Sequence, residues 1–317
     1  MSLHTLSLPE HRRPRLAAAL REHRLLRAIE CHNPLSAMIG ASAACPAGSP
    51  ALAFDALWAS GFSHATAMGL PDAELSLCER RIDTISDIAA VCALPIIADA
   101  DTGGDDLAFV QLCRRLEGLG VSAVIVEDKS GAKRTSLADN VAHQLEDPRV
   151  FSDKIAVARR SVLTREFLVF ARIESLIAGA GLQDALARAE IYLRSAADGI
   201  VIHSKDKTGE EIFAFMAGFA TLKKKSGIDK PLVLIPTAYN HVTGAELHQR
   251  GAQLVIHGNH MVRAAFRAMQ DAARSLLEHD RSLEADSVCA PVKELFDAVG
   301  VDLAATESKQ PATARGA

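Results

Sequence analysis

Acidic and basic residues collect at a few points in the sequence, each at the end of an apolar run: Asp99-Ala100-Asp101, Glu127-Asp128-Lys129, Arg172-Ile173-Glu174, His203-Ser204 and Asn259-His260. Burying so many charges singly would cost on the order of several kcal/mol each, so one shared solvated or metal-filled cavity is the economical arrangement. Asp99 and Asp101 are two residues apart and point to the same side of an extended chain. Two carboxylates on one side repel unless a cation sits between them. With Glu127 from the next run they make an oxygen-rich, thiol-free cluster, which suits a hard divalent ion such as Mg2+ or Mn2+ rather than zinc. The same acids could instead be ion-pair partners of Lys129 or Arg172 that only brace the rim, and spacing alone leaves both readings open.

Arg172 and His203 bring donors to the neighbouring run ends. Together they suit an anionic group such as a carboxylate or phosphate, the arginine through its planar fork, although a lone histidine is as often a satisfied core residue. Lys133, Thr135 and Ser136 lie in a polar stretch, 131–136, that has the composition of a lid or of an ordinary solvated connection. Trp58 reads first as a core aromatic ahead of a glycine turn. Ser60 and Gly61, which follow it, are small enough for backbone N–H groups to approach a ligand oxyanion.

The elements that must position these residues follow from the apolar pattern. Eight short runs read as strands: 25–32, 54–60, 95–101, 122–129, 167–174, 199–204, 231–237 and 254–260. Continuous apolar runs rather than alternating ones are what a parallel sheet buried on both faces produces. Between most of them lie helical patterns, clearest at 105–118, 182–196 and 261–278, with apolar residues at three- and four-residue spacing. Eight strand–helix units in about 250 residues predict an α/β fold, a closed (β/α)8 TIM-type barrel, with its active site at the carboxyl ends of the strands. No Gly-rich dinucleotide fingerprint follows the first strand. The expected organisation is one barrel domain over residues 1–305, followed by a disordered tail over 306–317.

Composition narrows the function classes. The chain has 317 residues, 49% of them hydrophobic, with 35 Lys+Arg against 39 Asp+Glu and a formal net charge of −4. That is too apolar for a disordered chain and lacks the basic excess of a nucleic-acid binder. The six cysteines form no CxxC pair, which argues against a zinc ribbon or disulfide scaffold and fits a reducing cytoplasm. The polar, proline-broken N-terminus has no signal-peptide core. Residues 35–54 carry no charge, yet they are mostly Ala, Ser, Gly and Pro, and the expectation is a helix running into a small-residue loop rather than a membrane span.

The motifs WASGF (58–62), LPDAELS (70–76), ADADTGG (98–104), EDKSGAKRTSL (127–137), ARIESLIAG (171–179), IHSKDK (202–207), PTAY (236–239) and GNHMVRAA (258–265) resemble, in order, the blocks of the phosphoenolpyruvate mutase/isocitrate lyase superfamily. The resemblance implies a Mg2+ site, with Mn2+ or Co2+ as substitutes, in which Asp99 is the direct ligand and Asp72, Asp101 and Glu127 hold the metal's waters. It places Trp58, Ser60, Gly61 and Phe62 around the pyruvyl part of a substrate, Lys133, Thr135 and Ser136 on a gating loop, and Arg172 and His203 on the substrate's anionic groups. It also implies a homo-oligomer, dimer or tetramer, with a swapped C-terminal helix.

Within the superfamily the chain looks most like the phosphonopyruvate hydrolases, which cleave a C–P bond to give pyruvate and phosphate. Lyases of the isocitrate type place a cysteine in a KKCGH-like loop, and no cysteine lies between Cys113 and Cys289 here. The mutases resemble this chain but carry Asn at the position of Thr135, where the hydrolases carry Thr. The chain departs from the hydrolase pattern at Ser130-Gly131-Ala132, where a bulkier, usually Phe-Pro-containing stretch is the rule, at Ala138 in place of Arg, and in an extra segment near 41–50. The expected partner is a small 2-oxo acid phosphonate, with neither nucleic acid nor membrane. The alternatives are a phosphoenolpyruvate mutase and a barrel that binds a 2-oxo acid without turning it over.

Overall fold

The computed structural model describes residues 7–45, 52–74, 78–131, 133–136 and 142–300. The expected tail at 306–317, Ala132 and Ala138 of the loop, and the second half of the 41–50 segment lie outside them. Chain contacts divide the molecule into a unit over Leu6–Val262 and a second one from Arg263 onward.

The first unit opens with α1 (Pro9–Arg12) and α2 (Pro14–Leu20), followed by β1 (Leu26–Cys31) and α3 (Pro34–Ser42). Then come β2 (Ala56–Ala59), α4 (Gly61–Ala67), α5 (Cys78–Val91), β3 (Ile96–Asp99), α6 (Asp106–Gly118) and β4 (Ala123–Glu127). The second half holds α7 (Pro148–Ser161), β5 (Leu168–Ile173), α8 (Gly181–Arg194), β6 (Gly199–Ile202), α9 (Glu210–Ser226), β7 (Leu232–Leu234), α10 (Gly244–Gln249) and β8 (Ala252–His257). All eight strands pair in parallel with their sequence neighbours, and β8 returns to β1, closing the (β/α)8 barrel. The three predicted helices correspond to α6, α8 and α11 (His260–His279). The uncharged stretch begins as α3, capped by Asn33, and no helix among the described residues is long and apolar enough to cross a membrane.

Strand alternation sorts the core into two layers. Ala56, Trp58, Ile97, Ala123, Ile125, Leu168, Phe170 and Val201 pack inside the barrel with Leu16, Ala17 and Leu20 of α2. Their neighbours Leu57, Ile96, Ala98, Val124, Val126, Val169 and Ile200 pack outward with the helices. Continuing the inner set two residues at a time leads to Asp99, Glu127, Arg172, Glu174 and His203 at the upper end of the barrel. Arg12 is buried beside α2 and donates to the carbonyls of Ala89, Cys92 and Leu119.

The unit from Arg263 contains the rest of α11, a 3-10 turn at Glu284–Ser287 and α12 (Val292–Val299). Phe266, Met269, Leu277, Leu283, Val292 and Leu295 on it are exposed.

Candidate active site at the carboxyl ends of the strands

The acidic half of the site is built around the end of β3. Asp99 is its last residue; its side chain accepts from the backbone N–H of Asp101 at 3.1 Å and of Gly61 at 3.0 Å. Asp101 lies beyond the strand, in a left-handed turn at φ 52°. The two carboxylates are therefore brought together by that turn, not by the strand alternation that the sequence suggests. Arg81 of α5 spans them, donating from Nη1 to the Asp99 carbonyl at 2.9 Å and from Nη2 to Asp101 Oδ2 at 2.5 Å. The other Asp101 oxygen accepts from Lys133, whose ammonium also bonds Asp72 Oδ1 at 2.7 Å.

Electrostatics separates these neighbours. Burial and the charge of Asp101 push the Asp99 carboxyl up, whereas Asp101, equally buried, is held down by Arg81 and Lys133. Burial and nearby Glu174 push Glu127 up to about 8. Glu127 Oε1 is buried and lies 3.1 Å from Lys129 Nζ, yet it receives no aligned hydrogen bond.

The basic half rises from β5 and β6. Arg172 donates from Nε to Glu174 Oε1 at 2.6 Å, and from Nη2 to Ser136 Oγ at 3.1 Å and His203 Nδ1 at 3.0 Å. A histidine accepting on Nδ1 carries its proton on Nε2. Burial, reinforced by Arg172, lowers the His203 pKa against the pull of Glu174, which keeps the ring neutral. Lys129 donates to Ser136 Oγ at 2.9 Å and to the Arg134 carbonyl at 3.0 Å. The acids are thus ion-paired with Lys129, Lys133 and Arg172, and of these residues Asp72, Glu127, Lys133 and Arg172 line one cavity.

That cavity, about 60 Å3, is walled by Trp58, Ser60, Phe62, Asp72, Asp99, Glu127, Lys133, Thr135, Ser136, Arg172 and His203, all of them expected from the sequence. Gly61 and Asp101 stand directly behind it, through Asp99 and Lys133. Ser60 also caps α4, its hydroxyl accepting from the Ser63 N–H at 3.2 Å. In the 131–136 stretch Lys133 and Ser136 are buried and Thr135 is half-buried.

Whether these residues suit a cation can be judged from the chain itself. A Cβ on Gly61 would lie 2.7 Å from Asp101 Oδ1 and 3.0 Å from Asp99 Oδ2, so only glycine leaves room for both carboxylates there. Glu127 Oε1 has spare acceptor capacity, and every candidate donor atom is oxygen, as a hard divalent ion prefers. Among the described residues no three His, Cys, Asp or Glu side chains already converge on one point. The arrangement fits an ion bound through one carboxylate, Asp99, and waters held by the others.

A sequence model described as phosphoenolpyruvate phosphomutase matches residues 16–277, the barrel and most of α11. The chain belongs to the phosphoenolpyruvate phosphomutase family. Within this family it is 36% identical to the phosphonopyruvate hydrolase of Variovorax sp. (strain Pal2), over 90% of this chain and 93% of the other. The solved phosphonopyruvate hydrolase in complex with oxalate and Mg++ superposes with a TM-score of 0.80 at 34% identity, over 93% of this chain and 97% of that one. A phosphoenolpyruvate phosphomutase from Streptomyces platensis subsp. rosaceus superposes with a TM-score of 0.85 at 30% identity, over 95% and 99%. These relatives are enzymes, a hydrolase and a phosphomutase, and both reactions stand at this level of similarity.

In this phosphomutase-family barrel the structure adds residues to which the sequence reading gave no role. Ile235, Thr237, Gly258 and Asn259 complete the cavity wall from the ends of β7 and β8. Arg81 comes from a helix with no strand-end signal. Glu174 does carry such a signal, lying two residues after Arg172, and is fully buried.

Proposed function

We propose that this chain is a phosphonopyruvate hydrolase, dependent on Mg2+ or a similar divalent ion, that converts phosphonopyruvate and water to pyruvate and phosphate. The observation that carries the reading is the bipolar cavity: carboxylates of β3 and β4, with Lys133 bonded among them, on one side, and Arg172 and neutral His203 on the other. With a divalent cation held on the acidic side, a 2-oxo acid phosphonate, anionic at both ends, would match that polarity. When bound, the cation would supply charge to the carboxylate and carbonyl oxygens of the oxo acid, easing departure of the C–P electron pair onto carbon. Asp99 would hold that cation directly, with Asp72, Asp101 and Glu127 holding its waters.

The chain's own groups do the rest. Arg172 offers its guanidinium, and His203 its Nε2–H, to the phosphoryl oxygens, and because the transferring group is metaphosphate-like it needs positioning more than covalent help. The backbone of Ser60 and Gly61, with Trp58 and Phe62, borders the pyruvyl portion. Lys133 and Ser136 control the entry of water. Thr135 offers a hydroxyl to a water in line with the breaking bond; the water's oxygen forms the new P–O bond, and the methylene carbon, having lost phosphorus, takes up a proton that the water gives up.

The phosphomutase reading has its own support in the higher TM-score of the Streptomyces enzyme. Phosphorus NMR with phosphonopyruvate and Mg2+ separates the two: the expected product is inorganic phosphate, and Thr135→Asn is expected to reduce its release and raise phosphoenolpyruvate. Interconversion of phosphonopyruvate and phosphoenolpyruvate without phosphate release would make the protein a mutase. Inertness toward both, with cleavage of a 2-alkylmalate, would make it a lyase. We further propose a cytoplasmic homo-oligomer in which a second copy covers the exposed Phe266, Met269, Leu277, Val292 and Leu295.

A further inference from the structure

Glu174 takes no part in the chemistry proposed above, yet all its side-chain contacts belong to that site. It stands in the inward column of β5, two residues beyond Arg172, with no exposed surface. Its two oxygens are divided between different parts of the molecule. Oε1 accepts from Arg172 Nε at 2.6 Å, and Oε2 accepts from the Ser136 hydroxyl at 2.6 Å, with Lys129 Nζ 3.3 Å away. The Ser136 oxygen in turn accepts from Arg172 Nη2 at 3.1 Å and Lys129 Nζ at 2.9 Å. Arg172, Glu174 and Ser136 thus form a closed ring of hydrogen bonds, with Lys129 bonded across it.

The position of the ring is itself fixed from behind. The Glu174 N–H donates to Asp128 Oδ1 at 2.8 Å, and the other Asp128 oxygen is held by Tyr192 Oη at 2.8 Å and Arg188 Nη1 at 3.1 Å, both on α8. β5 and α8 are parts of the rigid barrel, whereas Ser136 is on the connection after β4. Glu174 is where the two meet.

We infer that Glu174 is a positioning residue that couples the seating of the 133–136 segment to the orientation of the Arg172 guanidinium. Ser136 seats by donating to the same carboxylate that holds Arg172, so the segment closes and the anion-binding fork is set in one event. A carboxylate is required because every partner is a donor: an amide at this position would turn its NH2 toward Arg172, Ser136 or Lys129. The charged form suits the role, since burial alone would raise this carboxyl but Arg172 and Lys129 hold it well below the usual range. The identity of the anion that Arg172 grips rests on the function proposed above; the coupling does not.

The test is a double-mutant cycle read by trypsin cleavage after the exposed Arg134, in native protein without substrate or metal. Ser136→Ala and Glu174→Gln should each speed that cut by about tenfold or more, the effect of losing one hydrogen bond to a charged group. The double variant should be no faster than the faster single one. If Glu174 only neutralises buried Arg172, melting temperature falls in Glu174→Gln but cleavage rates multiply in the double variant or do not change, and either result overturns the coupling. Should Glu174→Gln not fold, Arg172→Lys, which removes the Nε contact, replaces it in the same cycle with the same expectation. Because the cycle measures no turnover, its outcome does not depend on whether the NMR assay finds a mutase or a hydrolase.

Discussion

Gly61→Ala probes the site where the backbone approaches both carboxylates of β3 most closely. Gly61 is the first residue of α4, its φ lies outside the left-handed region, and alanine suits such a position better than glycine by roughly 0.5–1 kcal/mol. Helix propensity alone would therefore favour the ligand-free protein slightly, so any net fall in its melting temperature reports the displacement of the carboxylates described next. The new methyl, however, would lie 2.7 Å from Asp101 Oδ1, 3.0 Å from Asp99 Oδ2 and 3.2 Å from Arg81 Nη2. Ordinary contact begins near 3.4 Å, so the carboxylates must retreat. Neither is free to do so: Arg81 and Lys133 hold Asp101, and Asp99 depends on the Gly61 and Asp101 N–H groups. Losing one hydrogen bond to a charged group costs about 1.5–3 kcal/mol, which converts to a roughly 10- to 100-fold loss of divalent-ion affinity. Mn2+ binding followed by electron paramagnetic resonance, with melting measured in EDTA, reads the two effects separately. Unchanged Mn2+ affinity in a folded Gly61→Ala protein would place the cation away from Asp99 and Asp101 and refute the site described here.

Two further outcomes follow from the same geometry and from a site remote from it. EDTA should abolish turnover and Mg2+ restore it, and Asp99→Ala should lower Mn2+ affinity more than Asp101→Ala, because Asp101 is already engaged by two cations; the reverse order would exchange their roles. Lys230 donates to the carbonyls of Tyr192 and Ser195, and burial pushes its ammonium down to about 8, with Asp198 pulling the other way. The folded state therefore takes up this proton later than the unfolded one as pH falls. The stability contributed by neutral Lys230 is present above its ordinary value of 10.5 and lost as pH falls through about 8. Urea melts of wild type and Lys230→Met should show the wild type losing ground to the variant across that window, and a constant difference would refute the assignment.

The barrel was legible because both faces of a parallel strand are buried, so each strand announces itself as an uninterrupted apolar run, and the polar residues that end the runs are the ones at the site. Strand ends were less legible. The run 95–101 continues past Asp99 into a left-handed turn that no local pattern betrays, and the pairing of Asp99 with Asp101 depends on that turn. Alternation could have found Glu174, since residues 168, 170, 172 and 174 share one side of β5. It also separates Asp128 from Glu127: the former turns outward to Arg188 and Tyr192, the latter inward. Arg81 had no such signal. Its place between the Asp99 carbonyl and the Asp101 carboxylate is set by how α5 packs, a tertiary fact invisible to spacing within one helix.

Charge balance ties these residues into one device. Asp72, Asp99, Asp101, Glu127 and Glu174 meet Arg81, Lys129, Lys133 and Arg172 around the cavity, and His203 is neutral, so the acids exceed the bases by one. Burial and neighbouring carboxylates push Asp99 and Glu127 up, while the adjacent cations hold Asp101 and Glu174 down. The two raised carboxyls are the two that face the cavity without a full set of donors. A divalent cation would turn that excess of one negative charge into an excess of one positive charge. On the function proposed here, that excess is what draws in an anionic oxo acid phosphonate, while the ring of Arg172, Glu174 and Ser136 fixes where its far end must lie.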